Sequence, residues 1–300
     1  MAKSFARKDF RKMFPSNDAC LDFLFQKLYG ERPKCPGCNA QQKYHRVRRR
    51  KCYSCQKCAH QIYPTKGTIF EGSQTDLLDW FEVILEFHLS KQGVTAKYIQ
   101  RQTGVTYKTA WRMGHKIREL MNEDAEFLLS GIVEVDETFW GGKTRKIGLT
   151  LDEKHKLCFF GMIERGGNCL IYYTEKWDAK TLLPIILSRV KEKSKIYGDD
   201  DAAVKKVVNH GYVHGAVNHK ARQWRKGEVY SNTIENLWSR FKALTYTHRY
   251  ISRRWAQNYA NEVAFRHNRK KEDRNIFLDI LGRIDSTSPA YVFQQSQDFL

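Results

Sequence analysis

The chain lacks a long apolar run and a surplus of acid. None of its 300 residues lies in a stretch of about 18 consecutive apolar residues, so we expect no membrane-spanning helix. The first residues also lack the apolar segment of a secretory signal. We therefore expect a cytoplasmic protein, nucleoid-associated in a prokaryote or nuclear in a eukaryote. Acidic residues number 33 against 52 Lys and Arg, which gives a formal charge of +19.

This basic excess predicts a polyanionic partner, and nucleic acid is the commonest one. The basic residues cluster in two stretches, 43–51 and 240–271. We expect both to contact phosphates, with Arg253 and Arg254 as DNA-binding residues in the second. The alternative is that these stretches form solvated faces without a partner.

The cysteines indicate a metal site. Two pairs, Cys35-Pro-Gly-Cys38 and Cys55-Gln-Lys-Cys58, are separated by 16 residues, a spacing within the range of zinc ribbons. Four thiolates suit one structural Zn²⁺, which would supply much of the folding energy of so short a ribbon. A pair of disulfides is the alternative, and a reducing cytosol disfavours it. Cys52 is interpreted as a spare thiol, and its role stays open.

A helix-turn-helix region follows the ribbon. Residues 75–91 are predicted to form a helix, 94–102 a short helix, 103–105 a turn that contains Gly104, and 106–121 a second helix. Early residues of that last helix, Lys108, Thr109 and Arg112, would reach the DNA bases. An ordinary helical hairpin is the alternative.

From residue 131 the pattern changes to alternating strands and helices. The order β-β-β-α-β-α-β-α predicts an RNase H-like domain of the α/β class, with a mixed sheet and flanking helices, in which the first and fourth strands lie side by side. The predicted strands are 132–139, 157–163, 169–173, 195–198 and 212–217, and the predicted helices are 180–190, 202–208 and 232–244.

Three acids in this order form a candidate catalytic site. Asp136 lies in the first strand, Asp199 follows the fourth, and Glu235 lies on the last helix. Lys242 shares the helix face of Glu235, because seven residues make about two turns. Carboxylate oxygens suit Mg²⁺ or Mn²⁺, and two such ions can cut and join a phosphodiester. The alternative is that these acids are merely solvated or paired.

The quoted residues resemble those of a known family. The chain is similar to DDE transposases of the insertion-sequence type that carry an N-terminal zinc ribbon, a prokaryotic group similar to the eukaryotic Merlin elements. The resemblance covers about residues 15–270. The matching stretches are the two cysteine pairs, 67–71 with Trp80, Thr109-Ala110-Trp111-Arg112-Met113, 135–143, Asn218-His219-Lys220, and 231–242.

The resemblance implies that Asp136, Asp199 and Glu235 hold the metal ions and that Lys242 meets DNA near the cleaved bond. It also implies double-stranded DNA as partner, both element ends and target, and a homo-oligomer on that DNA. One departure concerns the second acid. The family has Thr or Ser before it and Gly after it, whereas this chain has Gly198-Asp199-Asp200-Asp201. The position of the second acid therefore stays open among the three aspartates, although the 35 residues between Asp199 and Glu235 favour Asp199.

We therefore expect a transposase that binds element-end DNA, cleaves it and transfers the strand. Two other functions stay open: a zinc-ribbon and helix-turn-helix regulator with a non-catalytic RNase H-like domain, or an RNase H-like nuclease that does not join strands. The predicted domains are an N-terminal helical segment (1–30), the zinc ribbon (31–70), the helix-turn-helix region (71–125), the catalytic domain (126–275) and a C-terminal tail (276–300).

Overall fold

The computed structural model describes residues 5–123, 127–141, 156–199, 202–217, 228, 230–271 and 274–285. The chain divides into two compact units, Met1–Leu120 with Asn275–Leu300, and Met121–Arg274. None of the helices in the described ranges is long and apolar enough to cross a membrane.

The first unit contains a small three-stranded sheet and several helices. Three short strands pair antiparallel in the order β1-β2-β3. Aromatic residues are prominent in the core of this unit, with Phe10, Phe14 and Phe81 all buried. The elements are α1 (Arg7–Met13), α2 (Asn17–Tyr29), β1 (Tyr44–Arg46), β2 (Tyr53–Cys55), β3 (Gln61–Ile62), α3 (Leu77–Leu89), α4 (Ala96–Thr103) and α5 (Tyr107–Glu119).

The predicted C-terminal tail contains a helix that belongs to this first unit. α10 (Ile276–Gly282) buries Phe277 completely, and the Phe277 ring centroid lies 5.6 Å from that of Phe10. The apolar residues of α10 cannot bury themselves alone, because a helix of two turns has too little surface of its own. Packing against distant aromatic rings therefore decides the fold of this segment.

Helices α4 and α5 form a hairpin at the position predicted for the helix-turn-helix. Thr95 and Thr106 accept hydrogen bonds from backbone N–H groups in the first turn of α4 and α5 respectively, which satisfies donors that a helix start leaves open. Gly104 ends α4 in the left-handed conformation at φ 71°, which glycine adopts without steric cost. Local sequence signals thus explain both helix boundaries at the turn.

The second unit is a five-stranded mixed sheet with helices on both faces. The strand order is β6-β5-β4-β7-β8. β4 pairs antiparallel with β5 and parallel with β7, which is the order expected of an RNase H-like domain. The elements are β4 (Ile132–Trp140), β5 (Leu157–Glu164), β6 (Cys169–Thr174), α6 (Ala179–Arg189), β7 (Lys195–Asp199), α7 (Ala202–Lys205), β8 (Val213–Val217), α8 (Asn232–His248) and α9 (Ala256–Lys271).

Each face of this sheet has its own apolar core. One core joins β5 and β6 to α8 and α9 through residues such as Phe159, Ile171 and Phe241. The other joins β4 and β7 to α6 through residues such as Val135, Ile196 and Ile186. Successive side chains of a strand point to opposite faces of the sheet. A sheet that is covered on both faces therefore needs apolar residues on both sides of its strands, and these strands have them. The predicted mixed α/β class with flanking helices is confirmed.

Candidate zinc site and candidate active site

The four predicted zinc ligands lie together. The sulfur atoms of Cys35, Cys38, Cys55 and Cys58 are all within 4.8 Å of one another. The Sγ–Sγ distance is 3.5 Å between Cys35 and Cys58 and 4.0 Å between Cys38 and Cys55. One thiolate pair from each turn on a common centre suits tetrahedral coordination. These cysteines could therefore hold one zinc ion.

The two cysteine turns have the same backbone geometry. Asn39 N–H donates to the Cys35 carbonyl at 2.8 Å, and Ala59 N–H donates to the Cys55 carbonyl at 3.0 Å. Asn39 and Ala59 follow the second cysteine of their pairs, with φ of 55° and 60°. The two turns are thus equivalent, as a symmetric pair of metal-binding loops requires.

The surroundings of Cys35 favour its thiolate form. Burial alone would raise the pKa of Cys35, but the neighbouring Tyr44 hydroxyl and the N–H groups of Cys38 and Gly37 lower it to about 6. A lowered thiol pKa is what metal binding needs, since the ligand is the deprotonated sulfur. Cys52 is outside the group of four; it is buried, and its Sγ lies 3.8 Å from Gln61 Oε1.

The first strand of the candidate active site, β4, directs successive side chains to opposite faces of the sheet. Val133 and Val135 are buried in the core beneath α6. Glu134 and Asp136 have the opposite parity and face α8: Glu134 accepts hydrogen bonds from the first turn of that helix, and Asp136 from Trp238. Over residues 133–136 the strand thus directs two valines to one side and two carboxylates to the other.

The pairing of β4 with β7 relates Asp136 to Asp199 by position along two parallel neighbouring strands. β4 and β7 pair with Glu134 opposite Tyr197, and two further residues along each strand lead to Asp136 and Asp199. β4 and β7 approach each other closely at Val135 and Gly198: a Cβ on Gly198 would lie 2.9 Å from the Val135 carbonyl oxygen. Glycine at 198 thus permits the approach. The side chain of Asp199, and Asp200 and Asp201 entirely, lie outside the described residues.

Helix α8 brings a polar stripe to β4. Ser231, Glu235, Trp238 and Lys242 recur at helical spacing, and the Ser231 hydroxyl donates to Glu235 Oε1 at 3.1 Å. Trp238 Nε1 donates to Asp136 Oδ2 at 2.8 Å. Trp238 lies between Glu235 and Lys242 in this series, and its indole binds Asp136. Glu235 and Lys242 are exposed.

The same contacts show how α8 runs along β4. Thr233 N–H and Ile234 N–H donate to Glu134, whereas Trp238 donates to Asp136. Two strand residues advance about 6.6 Å, and four to five helical residues advance about 6–7.5 Å. The helix therefore follows the strand in the same direction.

Trp238 reaches Asp136 over a glycine. Gly161 is paired with Asp136 in β5, and a Cβ at Gly161 would lie 2.6 Å from Trp238 Cη2. Trp238 is only 4% exposed. Any larger residue at position 161 would displace the indole ring, so Gly161 is required for the hydrogen bond between Trp238 and Asp136.

The comparisons with known proteins identify both regions. Residues 128–268 match the family model of the ISXO2-like transposase domain, and residues 15–61 match that of the transposase zinc-ribbon domain. The chain carries a transposase zinc ribbon and an ISXO2-like transposase domain. The predicted insertion-sequence transposase with an N-terminal zinc ribbon is confirmed, while the similarity to Merlin elements stays a prediction.

A curated relative agrees with this identification. A protein of Halobacterium salinarum, described as an uncharacterized protein in transposable element ISH50, is 23% identical over 273 residues. The match covers 81% of this chain and 84% of the relative. The relative's description concerns its mobile element and names no activity.

The predicted DNA-binding residues lie at two exposed places. Lys108 and Arg112 are exposed in the first turns of α5, and Thr109 is partly buried, 3.0 Å from the Thr106 hydroxyl. Arg253 and Arg254 are exposed in a 3-10 turn between α8 and α9. The Arg254 guanidinium lies 5.3 Å from the Trp255 ring centroid. Exposed cations of this kind could bind phosphates.

Sequence reasoning missed Glu134, Arg165 and the hydrogen-bonding role of Trp238. Glu134 is fully buried and bound to Arg165 at 2.7 Å, although it stands in a strand between two valines. A carboxylate on one face of an otherwise apolar strand indicates that a polar partner lies against that face. Gly161, in the middle of β5, likewise indicated that another group packs closely against the strand, and that group is Trp238.

Proposed function

We propose that this transposase-family protein binds the ends of its element, cleaves the DNA there and joins the cut end to a target. The observation that supports the proposal best is the 2.8 Å hydrogen bond from Trp238 to Asp136. It ties α8, the helix that carries Glu235 and Lys242, to the central strand. β7, which ends at Asp199, is the parallel neighbour of that strand.

Asp136, Asp199 and Glu235 would hold the metal ions of this site. The donor set fits hard divalent ions, because it consists of carboxylate oxygens without sulfur. Asp136 Oδ2 accepts the Trp238 hydrogen bond, which restrains the orientation of the carboxylate. Two Mg²⁺ or Mn²⁺ ions bound there would activate a water or a 3′-hydroxyl and stabilise the leaving oxygen.

The other residues in this proposal bind and position DNA. Lys242 lies two turns after Glu235 on the same helix face, where its ammonium group would meet a phosphate near the cleaved bond. Lys108, Thr109 and Arg112 of α5, with the zinc ribbon, would recognise the element end. Arg253 and Arg254 would hold flanking phosphates. The protein would act as a homo-oligomer, because the two ends of an element must be brought together.

The decisive experiment uses the DNA that flanks the gene. Duplexes carrying the element end are incubated with the protein and Mg²⁺, and cleavage and joining are followed on gels. Asp136→Asn and Glu235→Gln should each reduce cleavage by more than about 100-fold, since direct ligands should cost more than their supporting residues. Binding of the same DNA, measured by mobility shift, should stay near the wild-type value.

Glu137→Gln is the matched control. Glu137 follows Asp136 in β4, and its parity directs it to the opposite face of the sheet. This variant should cleave at near the wild-type rate. Wild-type cleavage by Asp136→Asn would refute the metal site, and cleavage without any joined product would favour the nuclease alternative.

A further inference from the structure

A network of hydrogen bonds and ring contacts involves residues that lie close in sequence to the three proposed metal-binding acids. It contains Glu134, Tyr197 and Thr233, and each of them precedes one acid of the proposed site by two residues: Asp136, Asp199 and Glu235. These three residues lie on β4, β7 and α8, which are the elements that carry the acids. Arg165, at the turn after β5, joins them. We call Glu134 and Arg165, with these partners, the Glu134–Arg165 clamp.

Glu134 ties β4 to the start of α8. Its side chain is fully buried. Oε2 accepts hydrogen bonds from the N–H groups of Thr233 at 2.9 Å and Ile234 at 3.1 Å. Oε1 accepts from the Thr233 hydroxyl at 3.0 Å and from Arg165 Nε at 2.7 Å. The carboxylate thus caps the helix, where a negative charge also complements the helix dipole.

Arg165 ties the same point to β7 and to the segment that enters α8. Its NH1 and NH2 groups donate to the carbonyls of Glu228 and Tyr230, both at 2.8 Å. The guanidinium carbon lies 3.5 Å from the Tyr230 ring centroid and 5.0 Å from that of Tyr197. The planar fork of arginine can satisfy all of these partners at once, whereas a lysine ammonium cannot.

The clamp therefore restrains the relative positions of β4, β7 and α8. On each of these elements the clamp residue lies two positions before the proposed metal-binding acid. Two residues along a strand advance about 6.6 Å, so a displacement at the clamp is transmitted to the acid with little attenuation. Removing one partner of a buried ion pair leaves the other charge without compensation. The surrounding backbone must then shift or admit water, and the acids would shift with it.

We propose that Glu134 and Arg165 are positioning residues that set the relative positions of β4, β7 and α8, the elements that carry Asp136, Asp199 and Glu235, and thereby the affinity of the site for divalent ions. This inference rests on the proposed function. It predicts that a change in the clamp alters metal binding in the free protein before any DNA is present.

The test is a Mn²⁺ titration of the zinc-loaded protein, with unbound Mn²⁺ measured by electron paramagnetic resonance. Arg165→Lys keeps the positive charge and loses the fork. It should weaken Mn²⁺ binding by about tenfold or more, and raise the Mg²⁺ concentration needed for half-maximal cleavage to a similar extent. Element-end binding should remain within about twofold of wild type, because the clamp is not on the proposed DNA surface.

Two further variants keep the test decisive. Thr233→Val removes one hydroxyl from the clamp and preserves the backbone bonds, so it should fold and weaken Mn²⁺ binding by about threefold to tenfold.

Glu123→Gln is the control for loss of a buried ion pair in the same unit. Glu123 binds Arg269 at 2.8 Å, with side-chain exposures of 2% and 3%. It should lower the melting temperature and leave the Mn²⁺ affinity unchanged.

The outcomes separate this inference from the proposed function. If Asp136→Asn removes Mn²⁺ binding while Arg165→Lys and Thr233→Val bind Mn²⁺ normally, the clamp has no positioning role and the metal site stands. If Glu123→Gln weakens Mn²⁺ binding as much as Arg165→Lys, general destabilisation explains both, and the inference is overturned. If Asp136→Asn itself keeps Mn²⁺ binding and cleavage, the proposed function fails, and this inference fails with it.

Discussion

The zinc ribbon and the transposase domain assemble their candidate metal ligands in opposite ways. In the ribbon, four sulfur ligands come from two short turns that lie close in sequence, between Cys35 and Cys58. In the transposase domain, the proposed acids are spread from Asp136 to Glu235, on two strands and a helix. The ribbon has local ligands and little core, whereas the transposase domain has distant ligands and an apolar core on each face of its sheet.

This difference decides what a metal contributes in each region. A short ribbon gains most of its folding free energy from the ion. In the transposase domain an apolar core covers each face of the sheet, and in our proposal Glu134 and Arg165 position the acid-bearing elements. Metal loss should therefore unfold the first site and leave the second folded but inactive.

The largest expected effect is the loss of zinc. Cys38→Ser and Cys58→Ser should each release Zn²⁺ and unfold the ribbon, because structural zinc contributes about 10–16 kcal/mol in comparable small domains. Metal analysis and limited proteolysis of the N-terminal unit measure this. Cys52→Ser is the control and should retain zinc; equal zinc loss in all three variants would show that the four-cysteine assignment is wrong. The transposase domain should keep its own melting transition throughout.

The next effect concerns the second acid. Asp199→Asn should reduce cleavage by more than about 100-fold, because a neutral amide is a poor ligand for a hard divalent ion. Asp200→Asn and Asp201→Asn should cost at most about 0.5–2 kcal/mol of stability and keep cleavage within about tenfold. The measurement is cleavage of the element-end duplex in Mg²⁺. If Asp200→Asn is inactive while Asp199→Asn is active, the second metal-binding acid is Asp200 and the assignment to Asp199 is wrong.

Two buried tryptophans sharpen the comparison at a smaller scale. Trp80 Nε1 donates to the neutral Ser73 hydroxyl at 2.9 Å, whereas Trp238 Nε1 donates to the Asp136 carboxylate. Trp238→Phe should cost about 1.5–3 kcal/mol in unfolding free energy, and Trp80→Phe about 0.5–1.5 kcal/mol. Denaturant unfolding of both variants measures the difference. Only Trp238→Phe should also slow cleavage, and equal cleavage rates would contradict a role for Trp238 in orienting Asp136.

The smallest expected effect is on the salt dependence of DNA binding. Each phosphate contact contributes about −0.9 to the slope of log K against log salt. Replacing both Arg253 and Arg254 with Ala should therefore flatten the slope by up to about 1.8 and weaken binding to any sequence. Fluorescence anisotropy at several salt concentrations measures the slope. The double variant Lys191→Ala with Lys193→Ala is the control, because these exposed lysines precede β7 at the end of the strand opposite Asp199.

The sequence predicted the elements of the transposase domain closely. Predicted strand 157–163 is observed as Leu157–Glu164, and predicted helix 180–190 as Ala179–Arg189. The predicted helix 202–208 instead divides into α7 and a 3-10 turn, Lys206–His210. α8 continues four residues beyond the predicted end, to His248. Strong apolar periodicity explains the successes, and helix ends depend on contacts that periodicity does not describe.

The sequence by itself determined the features that depend on neighbouring residues. The ribbon ligands follow from the spacing of two cysteine pairs, and the turn between α4 and α5 follows from Thr95, Gly104 and Thr106. The alternation of β4 follows from strand geometry, which directs Val135 and Asp136 to opposite faces. In each case the chemistry acts within a few residues, so the pattern can be read without a fold.

Only the tertiary structure decided which distant groups meet. The bond between Trp238 and Asp136 and the contacts of Glu134 with Arg165 and Thr233 join residues that are tens of positions apart. No local pattern encodes these pairings, because they depend on the order of the strands and on the direction of α8 along β4. The physical reason is burial. A carboxylate enclosed by a sheet and a helix requires donors from whichever elements enclose it.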